Sequence, residues 1–272
     1  KICLFADDCV LYRKLADKSD ILLIQNDLNN ISEWCSKWCM QLNINKCKSM
    51  RVSRTNVTSP MYMLNNVPLE SVKSYRYLGV IVTSDLTWKS HVNSIIAKAN
   101  RTLGYIRRNF SLAPSSLKLL MYTTYIRPQL EYASSVWDPG QATLIHSVEA
   151  VQNRSARFIL NNYQRTASVT NMKAYLHLPL LSTRRKLSRL SLFHKIYYHN
   201  STLRSSWVQP PSYISFRRNH SQKVNIPHTN TVAYFNSFLP RTCNDWNNLS
   251  ASLTSITEEQ KFKSALQSFF FA

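Results

Sequence analysis

The sequence predicts an α+β protein, with short strands first, helices in the middle and a basic, mostly helical and loop-rich region at the end. Short apolar runs separated by turn residues occupy the first part of the chain. Apolar residues at alternating steps of three and four follow, which is the spacing of amphipathic helices. We therefore expect three regions, residues 1–85, 86–162 and 163–272.

The charge of the chain is its most unusual property. Lys and Arg number 34 against 14 Asp and Glu, so that the net charge is +20. It rises from +3 over residues 1–75 to +7 over 76–165 and +10 over 166–272. This gradient favours a polyanionic partner, and nucleic acid is a better candidate than the main rival, an anionic membrane surface. No apolar run approaches the roughly 18 residues of a membrane span, and we expect no membrane partner.

The first 85 residues carry the strand signals. Apolar runs flank Ala6-Asp7-Asp8 and predict a hairpin with both aspartates in its turn. Strand and turn patterns follow at 42–52 and around Asn65-Asn66, and residues 75–83 read as one further strand. One helix lies between them, capped by Asp17 or Ser19, with an apolar face made of Ile21, Ile24, Leu28, Ile31, Cys35 and Trp38.

The remainder is predicted to be helical. An apolar stripe covers 88–110, a second helix opens at Pro114 and closes at Pro128, and a third covers 141–161. The inward residues of the third helix are predicted to be Leu144, Val148, Val151, Ser155 and Phe158. A basic helix is expected over 182–199, a loop-rich stretch over 200–256, and a last helix after a capping box at Thr257 and Gln260. Its predicted apolar face is Phe262, Leu266, Phe269 and Phe270.

Asp7 and Asp8 are the residues most suggestive of chemistry. Two adjacent carboxylates repel each other, and a divalent cation removes that cost. Mg²⁺ in phosphoryl-transfer sites is held by one or two carboxylates together with substrate phosphates. The alternative is that Asp is simply a common turn residue.

Three motifs in order strengthen the metal interpretation. Phe5-Ala6-Asp7-Asp8 resembles the aromatic-x-Asp-Asp signature of reverse transcriptases. Leu42 to Ser49 is similar to the Leu-x-Leu-Asn-x-x-Lys-Thr/Ser stretch of that family, and Tyr77-Leu78-Gly79 looks like its primer-gripping hairpin. Segments further along, such as 128–137, 152–157 and 246–249, resemble non-LTR retrotransposon polymerases in particular.

The resemblance implies a role for each matching residue. Asp7 would bind Mg²⁺ directly and Asp8 would support it, while Lys48 would approach the triphosphate and protonate the departing pyrophosphate. Tyr77, Leu78 and Gly79 would hold the primer end. The intact enzyme would copy an RNA template onto a DNA primer from dNTPs, with 1–85 as part of the palm, 86–162 as a helical thumb and 163–272 as a basic C-terminal domain. It would act in the nucleus and cytoplasm, and no oligomeric state is indicated.

Basic residues along the helices would contact nucleic acid under this interpretation. Such contacts fix the position of the nucleic acid and not its sequence. The alternative for each is a solvated helix face. The candidates are Lys98, Arg101, Arg107, Arg108, Arg154, Arg157, Arg184 and Arg185.

The chain also departs from the family pattern. The family uses another aspartate from an earlier strand, and fingers that close over the nucleotide, and neither is recognisable here. We therefore expect a C-terminal portion of the polymerase that is inactive alone. The alternatives are a catalytically dead module that binds nucleic acid, and a remnant without a stable fold.

Overall fold

The computed structural model describes residues 1–53, 58–215 and 220–271, and its chain divides into two compact units. The first unit is formed by residues 1–87 and the second by residues 88–272. The α+β class is confirmed: the described strands lie in the first unit and most helices in the second. The three-region division at 85 and 162 remains a prediction.

The first unit contains β1–β8 and the long helix α1. In chain order these are β1 (Ile2–Phe5), β2 (Asp8–Leu11), α1 (Lys18–Lys37), β3 (Lys48–Ser49), β4 (Met63–Leu64), β5 (Val67–Pro68), β6 (Glu70–Ser71), β7 (Ser74–Tyr77) and β8 (Val80–Thr83). Among the described residues they make four two-stranded sheets: β1 with β2, β4 with β5 and β7 with β8 are antiparallel, whereas β3 and β6 are parallel.

The predicted Asn65-Asn66 turn is confirmed, and the prediction of one strand over 75–83 is wrong. Asn65 and Asn66 form the two-residue turn between β4 and β5, both with positive φ (51° and 61°), as an Asn-rich hairpin turn requires. Residues 75–83 form a hairpin and not one strand, because Leu78 and Gly79 turn the chain with φ of 45° and 81°. Gly79 therefore serves as a turn residue, for which its lack of a Cβ suits it.

The segment 42–52 also differs from its prediction. Asn43 caps a short 3-10 helix over Ile44–Lys46 by accepting a hydrogen bond from the Lys46 amide, and only Lys48–Ser49 form a strand. An Asn side chain that bonds nearby backbone groups competes with strand formation, which explains the difference.

Helix α1 is capped as predicted. The Asp17 carboxylate accepts hydrogen bonds from the Ser19 and Asp20 amides. The Asp20 carboxylate in turn accepts from the Asp17 amide, which completes a capping box. Its apolar stripe is half-buried, with Cys35 fully buried, but Trp38 is 62% exposed at the C-cap and does not belong to the face. Gln25 fixes α1 to β4 through two hydrogen bonds of 2.8 Å with the Met63 backbone.

In the second unit, the described residues form helices joined by loops, and those between Trp207 and Val232 are not helical. Its helices are α2 (Lys89–Asn109), α3 (Ser115–Met121), α4 (Arg127–Glu131), α5 (Ser134–Trp137), α6 (Ala142–Ile159), α7 (Val169–Tyr175), α8 (Leu181–His199), α9 (Ser201–Trp207), α10 (Val232–Phe235), α11 (Phe238–Asn247), α12 (Ala251–Thr254) and α13 (Glu259–Phe271). The predicted inward residues of α6 are all buried, and the stripe of α2 faces the core through Val92, Ala99, Leu103 and Ile106.

Pro128 does not end its helix as predicted. One π-helical turn over Tyr122–Ile126 joins α3 to α4, and the helical path continues to Glu131. Proline lacks the amide that an α-helix would use at this position, and a wider turn placed before it allows the path to continue.

The loop-rich prediction for 200–256 is wrong in its second half. Helix α11 buries Trp246 and Cys243 in a core shared with α8 and α13. Pro240 discouraged a helix prediction there, but it lies in the first turn of α11, where no amide is needed. In α13, Phe262 and Leu266 are buried as predicted, whereas Phe269 is exposed.

A buried ion cluster connects these helices. Asp138, which follows α5, accepts from Arg185 Nε at 2.6 Å and Arg189 Nε at 2.9 Å, both on α8. Arg189 also reaches Asp245 of α11 at 2.9 Å. The Arg185, Arg189 and Asp138 side chains are at most 3% exposed. One carboxylate therefore holds two buried guanidinium groups.

We expect Asp138→Asn to lower the free energy of unfolding by about 3–5 kcal/mol, because it leaves buried Arg185 without a carboxylate and buried Arg189 with Asp245 alone. Urea unfolding followed by circular dichroism measures this. Glu258→Gln, which breaks the exposed pair with Lys261, is the control and should leave the midpoint nearly unchanged. Equal effects of the two variants would contradict a structural role for Asp138.

Candidate functional site

The aspartate pair lies at the tip of the first hairpin. Asp8 begins β2 opposite Phe5, so the two-residue turn is Ala6-Asp7, with Ala6 at φ 50°. The predicted hairpin is therefore confirmed, although only Asp7 lies in its turn. Both aspartates are exposed.

The carboxylates of Asp7 and Asp8 are available to a cation. Neither takes part in an ion pair or side-chain hydrogen bond among the described residues, whereas Asp20 of the same unit pairs with Arg13. Two exposed carboxylates are a donor set that suits Mg²⁺ with phosphate oxygens as further ligands. Within the described residues, no group of three or more His, Cys, Asp or Glu side chains is placed to hold a metal ion.

The residue after the pair connects the hairpin to other parts of the first unit. Burial raises the pKa of the Cys9 thiol, and nearby Cys35, Cys47 and Cys3 raise that pKa further. Cys35 belongs to α1, and Cys47 directly precedes Lys48. The Cys9 side chain of β2 therefore lies near Cys35 of α1 and near Cys47, the residue before β3.

Lys48 has a carboxylate partner that the sequence did not reveal. Strand pairing sets Lys48 opposite Glu70, and Lys48 Nζ lies 2.6 Å from Glu70 Oε2. The Glu70 side chain is 66% exposed, and an exposed pair of this kind contributes little stability. Lys48 can therefore exchange this partner for a phosphate at small cost.

The predicted primer-gripping residues form the tip of the β7–β8 hairpin. Tyr77 ends β7 and is half-buried, and Leu78 and Gly79 make the turn. Among the described residues, the aspartate pair, Lys48 and Tyr77 occupy three separate two-stranded sheets. Their convergence into one cleft therefore remains a prediction.

Helix α2 presents a basic face in the second unit. Lys98, Arg101 and Arg108 are all exposed and follow the steps of three and seven residues that keep side chains on one side of a helix. Tyr105 lies on the same face and is 59% exposed. Cations interleaved with an aromatic ring are suited to phosphates and bases.

The other predicted cations have intramolecular partners. Arg107 lies 5.6 Å from the centre of the Tyr163 ring, and Arg154 of α6 donates to Asn100 of α2 at 3.0 Å. Arg157 donates to the Gln164 carbonyl at 2.9 Å. Arg107 and Arg154 are still exposed, whereas Arg157 is half-buried.

Arg184 and Arg185 occupy a different environment from the one expected of phosphate ligands. Arg184 makes a two-pronged pair with Glu131, which raises the pKa of its guanidinium. Arg185 is buried against Asp138 and lies over the Trp137 ring. Their carboxylate partners lie about 50 residues away, and no local sequence signal marks them.

Comparison with known proteins finds polymerases of the same class that the sequence motifs resemble. The chain is homologous to RNA-directed DNA polymerases of non-LTR retrotransposons. It is 28% identical over 159 residues to a probable RNA-directed DNA polymerase from transposon X-element of Drosophila melanogaster, covering 57% of this chain and 18% of the relative.

Two further relatives are similar over a comparable share. The RNA-directed DNA polymerase from mobile element jockey of Drosophila funebris is 28% identical over 180 residues, which is 62% of this chain and 19% of that protein. A Pol polyprotein from type-1 retrotransposable element R1 2 of Nasonia vitripennis is 26% identical over 151 residues, which is 50% of this chain and 36% of that protein.

These alignments leave most of each relative unmatched, since they span between 18% and 36% of its length. No protein-family model matches the chain. No solved structure matches it significantly. Among the described residues, every helix is too short or too polar to cross a lipid bilayer.

We expect Mn²⁺, a paramagnetic substitute for Mg²⁺, to broaden the amide resonances of residues 6–9 selectively, since two adjacent carboxylates concentrate negative charge there and attract a divalent cation. Asp7→Asn combined with Asp8→Asn should abolish this broadening in NMR spectra. The matched control is Asp27→Asn with Glu33→Gln, which removes the same charge from α1. Broadening spread evenly over the acidic residues would contradict a metal site at the hairpin tip.

Proposed function

We propose that this chain supplies part of the catalytic and nucleic-acid-binding surface of a retrotransposon RNA-directed DNA polymerase. The observation that carries the proposal is the exposed, unpaired Asp7-Asp8 tip in a chain homologous to such polymerases. In this proposal residues 1–85 form the end of the palm, 86–162 the thumb and 163–272 a basic C-terminal domain. The intact enzyme would act on an RNA template, a DNA primer and dNTPs.

The proposed chemistry assigns a role to each group. Mg²⁺ held by Asp7 and Asp8 would stabilise the charge that develops on the oxygens of the transferring phosphoryl group. Lys48, released from Glu70, would bind the triphosphate and donate a proton to the pyrophosphate as it leaves. The backbone at Leu78 and Gly79 would approach the primer end closely, because Gly79 has no side chain.

We further propose that the 272 residues do not polymerise by themselves. Two-metal nucleotidyl transfer uses two ions about 3.5–4 Å apart, which need more ligands than Asp7 and Asp8 provide. Within the described residues, no third acidic side chain joins them to make a metal cluster. This supports the expectation that another aspartate of the intact enzyme completes the site.

Primer extension tests the catalytic part of the proposal. A labelled DNA primer on an RNA template, given dNTPs and Mg²⁺, should not be extended by the 272-residue chain. Extension that disappears in Asp7→Ala would overturn the proposed inactivity while identifying Asp7 as catalytic. Extension that survives in Asp7→Ala would overturn the assignment of the site.

The basic face of α2 favours a second candidate function, in which the chain is a catalytically dead module that binds nucleic acid. Lys98, Arg101 and Arg108 are exposed, and no carboxylate pairs with them among the described residues. Arg107 and Arg154 can add to this surface. Arg184 and Arg185 do not belong to this proposed surface, because Glu131 and Asp138 neutralise them.

Binding to an RNA–DNA duplex should weaken when Lys98, Arg101 and Arg108 are replaced by Gln. The slope of log K against log salt should become shallower by about two to three units, because binding releases fewer counterions for each phosphate contact that is removed. The control replaces Lys195, Lys261 and Lys263 by Gln, an equal loss of exposed charge on α8 and α13. The same slope for both triple variants would contradict a specific surface on α2.

A further inference from the structure

A cavity in the second unit is lined by none of the residues to which a role has been assigned. Its volume is about 440 Å³, and it is bounded by the end of α8, helix α9 and the segments 208–214 and 221–224. Open clefts of roughly 300–1,000 Å³ accommodate small organic ligands or single units of a polymer.

The cations of this cavity lack carboxylate partners. Arg204 and Lys223 line it, no carboxylate does, and neither cation takes part in an ion pair among the described residues. By contrast, Arg184, Arg185 and Arg189 of the adjoining helix are all paired. The cavity therefore carries uncompensated positive charge.

The Arg204 side chain is held in place by an aromatic ring. Its guanidinium carbon lies 4.1 Å from the centre of the Tyr197 ring, a cation–π contact. Tyr197 packs in turn against Trp246, with ring centres 5.4 Å apart. Stacking on a ring leaves the N–H groups at the guanidinium edge free to bind an anion.

The opposite wall is held by the core. The Asn225 amide donates to the Gln209 carbonyl at 2.9 Å, which joins the two wall segments. Val224 is buried, and its backbone exchanges two hydrogen bonds with the Asn247 side chain. The two wall segments are therefore joined at Gln209 and Asn225, and Val224 is anchored to α11.

The remaining lining decides the class of ligand. The hydroxyls of Ser201 and Ser221 accompany the two cations, whereas the Ser205 hydroxyl donates to the Thr202 carbonyl. Val208, Pro210 and Ile214 supply apolar surface. A simple anion uses the cations and hydroxyls but not the apolar wall. A nucleotide uses both, since it combines a phosphate, a polar sugar and a flat apolar base.

We propose that this cavity binds one nucleotide of a single-stranded RNA, with Arg204 and Lys223 on the phosphate and the apolar segment 208–214 against the base. The choice of RNA rests on the proposed function, because the template is the single-stranded partner of the polymerase. The site would hold unpaired RNA separately from the duplex surface of α2.

Fluorescence anisotropy with a labelled eight-nucleotide oligouridine tests the proposal on the full chain. Arg204→Gln with Lys223→Gln should weaken binding about tenfold, since a phosphate contact is lost. The charge-matched control, Lys195→Gln with Lys263→Gln, should weaken it about twofold or less. Ser205→Trp should also weaken binding, because its ring fills the cavity without removing a charge. Circular dichroism melting checks that every variant is folded.

Competition separates the possible ligands. UMP should displace the oligouridine from the wild-type chain, and inorganic phosphate at the same concentration should not. Displacement by both to the same extent would overturn the nucleotide assignment in favour of an anion site. Binding unaffected by Ser205→Trp, or weakened equally by both double variants, would overturn the cavity site itself. Either result leaves the duplex-binding test of Lys98, Arg101 and Arg108 standing.

Discussion

The second unit depends on the burial of Asp138 among arginines. This carboxylate follows α5 and accepts hydrogen bonds from Arg185 and Arg189 on α8. Arg189 also donates to Asp245 and Thr242 on α11. Arg241 of α11 donates to the backbone carbonyl of Asp138 as well. Three helices distant in sequence are therefore joined at one anion. Such a cluster contributes less to net stability than its contacts suggest, since desolvation opposes them, but removal of the buried Asp138 carboxylate is severe.

The chain has a net charge of +20, and its cations fall into two groups: those paired with a carboxylate and those without such a partner among the described residues. Arg185 and Arg189, on the inner side of α8, form ion pairs with Asp138 and Asp245. Arg184 pairs with Glu131, and Lys173 pairs with Glu149. Among the described residues, the cations without a carboxylate partner include Lys98, Arg101 and Arg108 on α2, and Arg204 and Lys223 at the cavity. Net charge alone cannot distinguish the groups, because a buried arginine and a phosphate-binding arginine count equally in it. Three-dimensional pairing makes the distinction.

The local elements could be predicted where the signal is local. The stripe of α6, the cap of α1 by Asp17 and the Asn65-Asn66 turn each depend on residues a few positions apart, and all three are confirmed. Some errors were local, such as the Asn43 cap and the Leu78-Gly79 turn, but others arose where long-range contacts override local preference. Helix α11 forms despite Pro240 because Trp246 fills the core beneath α8, and Arg185 is buried because Asp138 lies 47 residues earlier. A pattern of basic residues on α8 indicated an exposed face, and only the fold reveals that it is partly interior.

The candidate site could be predicted only in part, for a related reason. The order of Asp7-Asp8, Lys48 and Tyr77-Leu78-Gly79 is readable in the sequence, but Glu70 has no motif and is placed opposite Lys48 by strand pairing. The aspartates themselves show how such a site can be reconciled with folding. Placed at an exposed hairpin tip, adjacent carboxylates are screened by water, so their repulsion costs little stability. Under the proposed function, this exposure would leave their oxygens open to a metal carried by substrate phosphates, since no described residue pairs with them. A buried pair would have demanded a permanent counter-charge, as Asp138 does, and would have lost that capacity.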